Sequence, residues 1–142
     1  MRDRYGRGMS GPLHDCSFQL TYGDCDPAGI VYYANYFRWM EHTHTTWWHK
    51  VGERIDELPK RYGVELVTRH TGMEFTAPAR PFDVVVASLT AETVGRTSFR
   101  MRVEFALDTG VPVANGNLTL VTIDKSGRPA PVPDELRAQL VF

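Results

Sequence analysis

Three consecutive residues carry the most suggestive chemistry in the chain: Asp24, Cys25 and Asp26, followed at once by Pro27-Ala28-Gly29. A carboxylate held in a tight turn can serve as nucleophile or general base, and a thiol between two acids is a second candidate nucleophile. Each has an ordinary alternative. Asp-Pro initiates turns in its own right, so on the residues alone the turn-forming and the chemical roles of Asp26 weigh equally. Asp24 is the local competitor, and bonding to loop backbone suits it better than reaction. Cys25 belongs to no motif that pairs it with a base, which favours a packed or idle thiol. Glu41 and His44 form one Glu-x-x-His pair, whereas a di-metal bundle site needs two copies. His42 points to another side of the same helix, and no metal site is expected. His44 lies on the inner stripe of that segment, where a satisfied core histidine is favoured over one lining a pocket. His70 falls in a strand pattern and stays open between the two roles. The chain has no G-x-S-x-G elbow for serine hydrolysis and no G-x-x-x-x-G-K-[ST] loop to cradle phosphates.

Positioning these residues takes a particular set of elements. From Tyr33, large apolar or aromatic residues recur at 36, 37, 40, 47, 48 and 51, which predicts a helix over residues 33–51, about 28 Å long. Tyr36, Phe37, Trp47 and Trp48 are first of all its core face. Gly52 suits the position just past the helix end. Before the acidic loop, Cys16, Phe18, Leu20 and Tyr22 alternate as a half-buried strand over residues 14–22. After the helix comes a short polar helical turn broken by Pro59. Four strands follow, over residues 63–76, 82–93, 96–107 and 111–123. In the third of these, Phe99, Met101, Val103 and Phe105 share one face and Arg100, Arg102 and Glu104 the other. Asp108-Thr109-Gly110 is a hairpin turn. A terminal helix is expected over residues 133–140. One long helix and a run of strands joined by short turns is an α+β pattern, with the helix covering one face of an antiparallel sheet.

The acidic stretch also carries a resemblance. Gly23-Asp24-Cys25-Asp26-Pro27-Ala28-Gly29-Ile30-Val31-Tyr32-Tyr33, followed by Asn35-Tyr36 and Arg38-Trp39, resembles the signature of the 4-hydroxybenzoyl-CoA thioesterases. These are acyl-CoA thioesterases of the hot-dog fold. The resemblance is nearly continuous from Tyr22 to Trp39. It implies a long central helix wrapped by a curved, five-stranded antiparallel sheet. It implies hydrolysis of an acyl-CoA thioester, such as an aromatic hydroxybenzoyl-CoA, to free acid and CoA without a cofactor. Asp26 becomes the catalytic carboxylate, as nucleophile or general base, and the Tyr33 backbone N–H the donor that polarises the thioester carbonyl. In Gly95-Arg96-Thr97-Ser98 it points to Arg96 and Thr97 as contacts for the CoA nucleotide phosphates, although the family's own segment is more basic. It further implies a homodimer with sites formed between subunits, and commonly a homotetramer. Two other readings of the fold are a hydratase or dehydratase and a non-catalytic acyl-ligand binding module. Hot-dog hydratases carry His five residues after the Asp; Val31 stands there. The retained acid disfavours the binding module.

Composition agrees with one domain. The chain has 142 residues, 42% hydrophobic and 23% charged, and a domain of this size buries roughly 68% of its unfolded surface. Residues 1–11 are rich in Arg and Gly without periodicity and read as a disordered tail before a single domain over 12–142. The formal net charge of −1 gives no general pull towards nucleic acid or an anionic membrane. The two cysteines, Cys16 and Cys25, form no CxxC or zinc pattern, and reduced thiols in a cytoplasmic protein are the plain reading. No apolar run is long enough to span a bilayer.

Overall fold

A computed structural model describes residues 12–140; the tail expected at 1–11 lies outside the described residues. The helix α1 spans Ala34–Lys50 and buries Tyr36, Trp39, Met40, Thr43, His44, Trp47 and Trp48 along one face. It stops where the chain must turn left-handed. Gly52 has φ 88°, its N–H donates to the His49 carbonyl at 3.1 Å, and the Glu53 N–H donates to the Trp48 carbonyl at 2.8 Å. These two bonds satisfy carbonyls that the helix end leaves without partners.

Five strands form one sheet: β1 (His14–Gln19), β2 (Glu65–Phe75), β3 (Val84–Val94), β4 (Ser98–Leu107) and β5 (Pro112–Ile123). Their order is β1-β3-β4-β5-β2, and every pairing is antiparallel. In β4 the expected alternation holds: Phe99, Met101, Val103 and Phe105 are buried in the core that α1 covers. Arg100 and Arg102 lie on the opposite face, where both bind Glu92 at 2.6 Å. The expected arrangement of one long helix against a five-stranded antiparallel sheet is therefore the observed one.

Three local expectations are corrected. The first strand stops at Gln19, and Tyr22 is 75% exposed in a single 3-10 turn, Tyr22–Asp24. The Asp24 carboxylate draws the chain out of the sheet there by accepting the Thr21 N–H at 2.8 Å. Pro59 does not break the segment after α1. A 3-10 turn, Ile55–Glu57, runs into α2 (Leu58–Tyr62), with Pro59 in the first turn, where its missing N–H has no helical acceptor to lose. β3 begins at Val84 rather than residue 82, because Phe82 sits at φ 73°, a conformation no strand residue adopts. The chain closes with α3 (Asp134–Leu140), which buries Leu136 and Leu140.

Candidate active site

The acidic loop is folded by its own backbone. The Asp26 N–H donates to the Ile30 carbonyl at 3.0 Å and the Gly29 N–H to the Asp26 carbonyl at 2.9 Å. Gly29, at φ 78°, supplies the left-handed step. Cys25 and Val31 then face each other as an isolated antiparallel bridge. The Asp24 carbonyl ties the loop to the start of α1, accepting the Tyr32 N–H at 2.9 Å and Asn35 Nδ2 at 2.8 Å. Loop and helix start thus form one unit. The Val31 N–H anchors it to the Ala79 carbonyl at 2.8 Å.

Within this unit the two acids have different employment. Asp24 Oδ2 accepts both the Thr21 N–H, at 2.8 Å, and the Thr21 hydroxyl, at 3.2 Å. Asp26 is half-buried, and its Oδ1 accepts the Ala28 N–H at 2.8 Å. Among the described residues nothing donates to its Oδ2. One bond holds the carboxylate, and its second oxygen is uncommitted. Cys25 is poorly suited to attack: burial pushes its thiol pKa up, and the charges of Asp24, Asp26 and Asp83 push it further, which disfavours thiolate. Tyr33 occupies the N-cap of α1. Among the described residues its N–H donates to no acceptor, so it offers an open donor at the positive end of a helix dipole.

An aromatic wall flanks this helix start, and the periodicity did not single it out. Phe75 at the end of β2 is 48% exposed and Tyr33 is 58% exposed. Their ring centroids are 5.9 Å apart, and Phe75 lies 5.8 Å from Tyr36. The Tyr36 hydroxyl is buried without a partner among the described residues. Burial, with Asp83 and Cys25 adding to it, pushes its pKa up to about 12.

The other sequence candidates lie elsewhere. Arg96 and Thr97 form the turn between β3 and β4. β3 starts next to the residue before the loop, where the Leu20 N–H meets the Asp83 carbonyl at 2.8 Å, and ends at Val94. At about 3.3 Å per residue, its eleven residues carry Arg96 roughly 35 Å from the Asp26 end of the sheet. One chain therefore does not bring the four candidate residues together. The Arg96 side chain is exposed, while its carbonyl accepts the Val132 N–H at 2.9 Å and the Thr97 carbonyl the Thr122 N–H at 3.0 Å. A cleft of about 320 Å³ lies at this far end, lined by Gly63, Glu65, Asp124 and Lys125 among others, remote from Asp26. His44 is a core residue, as expected, but not a satisfied one: its Nδ1 has no partner among the described residues. Burial lowers its pKa to about 4, so it is neutral at pH 7. His70 is exposed on β2. Among the described residues no three His, Cys, Asp or Glu side chains group as metal ligands.

The chain is similar to known proteins in sequence and in fold. An acyl-acyl carrier protein thioesterase of Arabidopsis thaliana, described as chloroplastic, is 27% identical over 138 residues, covering 96% of this chain and 71% of its own. The 4-hydroxybenzoyl-CoA thioesterase of a Pseudomonas species is 44% identical over 34 residues, or 24% of each chain. The crystal structure of a 1,4-dihydroxy-2-naphthoyl-CoA thioesterase from Synechocystis superposes with a TM-score of 0.82 at 19% identity, covering 89% of this chain and 94% of that one. The model of the thioesterase-like superfamily matches residues 20–140, from just after β1 through α3, and the chain belongs to that superfamily.

Proposed function

We propose that this thioester hydrolase cleaves acyl-CoA, with Asp26 as its catalytic carboxylate and the Tyr33 N–H as the donor to the carbonyl oxygen. The observation that carries the reading is the pairing, in one loop-and-helix unit, of a carboxylate with one oxygen uncommitted and a helix-start N–H without an acceptor. Thioester hydrolysis places negative charge on the carbonyl oxygen as the carbon becomes tetrahedral, and a preorganised N–H at a helix N-terminus suits that oxygen. Asp26 either attacks the carbonyl carbon, forming an anhydride that water then opens, or takes a proton from an attacking water. Both routes expel CoA thiolate, a good leaving group, and yield the free acid. An aromatic acyl group is supported by the exposed rings of Tyr33 and Phe75 beside the site and by relatives named for hydroxybenzoyl and dihydroxynaphthoyl thioesters.

The working unit in this reading is at least a homodimer, with a homotetramer as the larger assembly. Two copies related by a two-fold along an antiparallel seam set the Arg96 end of one beside the Asp26 end of the other. Arg96 and Thr97 of the second copy then face the CoA phosphates. The free thiols of Cys16 and Cys25 support a reducing, cytoplasmic setting. A second reading, acyl carried on acyl carrier protein, is favoured by the likeness, over 96% of this chain, to a thioesterase named for that substrate.

A thiol-release assay separates these readings. The panel comprises benzoyl, hydroxybenzoyl, phenylacetyl and short and medium aliphatic CoA esters, the same acyl groups on carrier protein, and truncated thioesters lacking the nucleotide. Turnover of CoA esters is expected. Arg96→Ala should raise KM for them, more so at low salt, and barely alter truncated thioesters. Release from carrier protein alone transfers the assignment to the second reading, and no release from any thioester overturns both.

A further inference from the structure

We propose that Gly116, Met40 and Met73 set the size of the acyl group this enzyme accepts, acting as a movable plug behind the reacting end; the proposal rests on the reading of Asp26 and Tyr33 given above. Its origin is an unusual gap in side-chain bulk. Along β5 the core positions run Ala114, Gly116, Leu118, Leu120, and the two smallest lie nearest the acidic loop. Their neighbours are Phe105 and Val103 on β4 and Phe75 and Met73 on β2. Two residues with almost no side chain leave a hollow in the sheet beneath the first turns of α1.

Two thioethers fill that hollow, one from α1 and one from β2. A Cβ placed on Gly116 would lie 2.6 Å from Met73 Cε, 2.8 Å from Met73 Sδ and 2.9 Å from Met40 Sδ. Both methionines therefore occupy the space any other residue at position 116 would claim. Methionine is unbranched and has three rotatable bonds, so it fills an irregular space and leaves it at low cost. Met40 is buried, whereas Met73 is half-buried and its same-face neighbour Phe75 is exposed, so Met73 is the half of the plug with the freedom to change rotamer.

The hollow also continues the proposed site. Phe75 touches both Tyr33 and Tyr36, and Tyr36 touches Phe105 at 5.1 Å. Seven residues separate Tyr33 from Met40, about 10 Å along a helix. An acyl group whose carbonyl oxygen sits at the Tyr33 N–H runs past Phe75 and Tyr36 and meets the methionines at that depth. A compact acyl group, one ring or a short chain, ends before the plug. A longer one must displace Met73.

The test uses wild type, Met73→Ala, Gly116→Ala and the double variant. One measurement is kcat/KM across arylalkanoyl- and alkanoyl-CoA esters of increasing length. The other is the binding of the matching S-alkyl-CoA thioethers, which cannot be hydrolysed. Met73→Ala should raise the long-to-short ratio at least about tenfold, the scale set by admitting one further methylene to an apolar pocket. Gly116→Ala, by pushing Met73 towards the reacting end, should lower it by a similar factor. In the double variant the new Cβ takes the vacated space and the ratio should return towards wild type. Met73→Val, a residue suited to strands, carries the same comparison if circular dichroism shows Met73→Ala unfolded. A size profile identical in all folded variants, in both measurements, overturns the plug. A binding profile that shifts as expected while no variant hydrolyses any ester leaves the plug standing and overturns the reading of Asp26.

Discussion

At the scale of single residues, the candidate site shows a division of labour between acids two positions apart. Asp24 spends its carboxylate on Thr21 and its carbonyl on Tyr32 and Asn35, so it builds the loop that holds Asp26. His44 shows a different residue-scale consequence, one of stability. Its imidazole has an ordinary pKa of 6.5 and, folded, one near 4. Between those values the unfolded chain binds a proton that the folded chain refuses. Stability is therefore complete above pH 6.5 and falls as pH drops through that window, by up to about 3 kcal/mol. Urea midpoints measured from pH 7 to pH 4 should fall less steeply for His44→Leu than for wild type; equal slopes would place the acid sensitivity elsewhere. The contrast between these residues also marks what sequence can show. The placement of Asp26 and Tyr33 in one loop-and-helix unit was legible because it is local, seven positions bridged by one turn signal and a helix start. The orphaned Nδ1 of His44 was not, because spacing places a side chain on a face without revealing its partners.

At the scale of elements, the sequence was legible wherever period and punctuation agreed. The alternation in β4 and the Gly52 stop of α1 were both read correctly. The errors fall where a side-chain bond or an unusual backbone angle overrode the pattern. Tyr22 continues an alternating run, yet the Asp24 carboxylate diverts the chain before it, and Phe82 is held at a positive φ that its β-favouring neighbours do not announce. The helix end gives the clearest element-scale prediction. A Cβ at Gly52 would meet nothing within 4 Å, so Gly52→Ala carries only the conformational cost of φ 88°, about 1–2 kcal/mol. Thermal or urea denaturation should show that loss with kcat unchanged, since Gly52 lies at the opposite end of α1 from Tyr33. A neutral substitution would mean that the helix end rearranges instead.

At the scale of the whole molecule, the separation of Arg96 from Asp26 was the least legible feature, because it follows from the length and direction of β3 rather than from any local motif. Under the roles proposed for both residues, it also argues for assembly. β2 is an edge strand of eleven residues with Val67 and Phe75 exposed, and long edges of this kind are seldom left unpaired. Sedimentation at micromolar concentration should therefore find at least a dimer; a fully active monomer would remove the shared site. The central claim, that Asp26 is the catalytic carboxylate, is tested most directly by kcat for Asp26→Asn beside Asp24→Asn on the best CoA ester. With fold and dimer intact by circular dichroism and sedimentation, Asp26→Asn should lose about 10²- to 10⁴-fold in kcat, and Asp24→Asn far less. A folded Asp26→Asn that keeps near wild-type kcat across the thioester panel would contradict the account and return Asp24 and Cys25 to consideration.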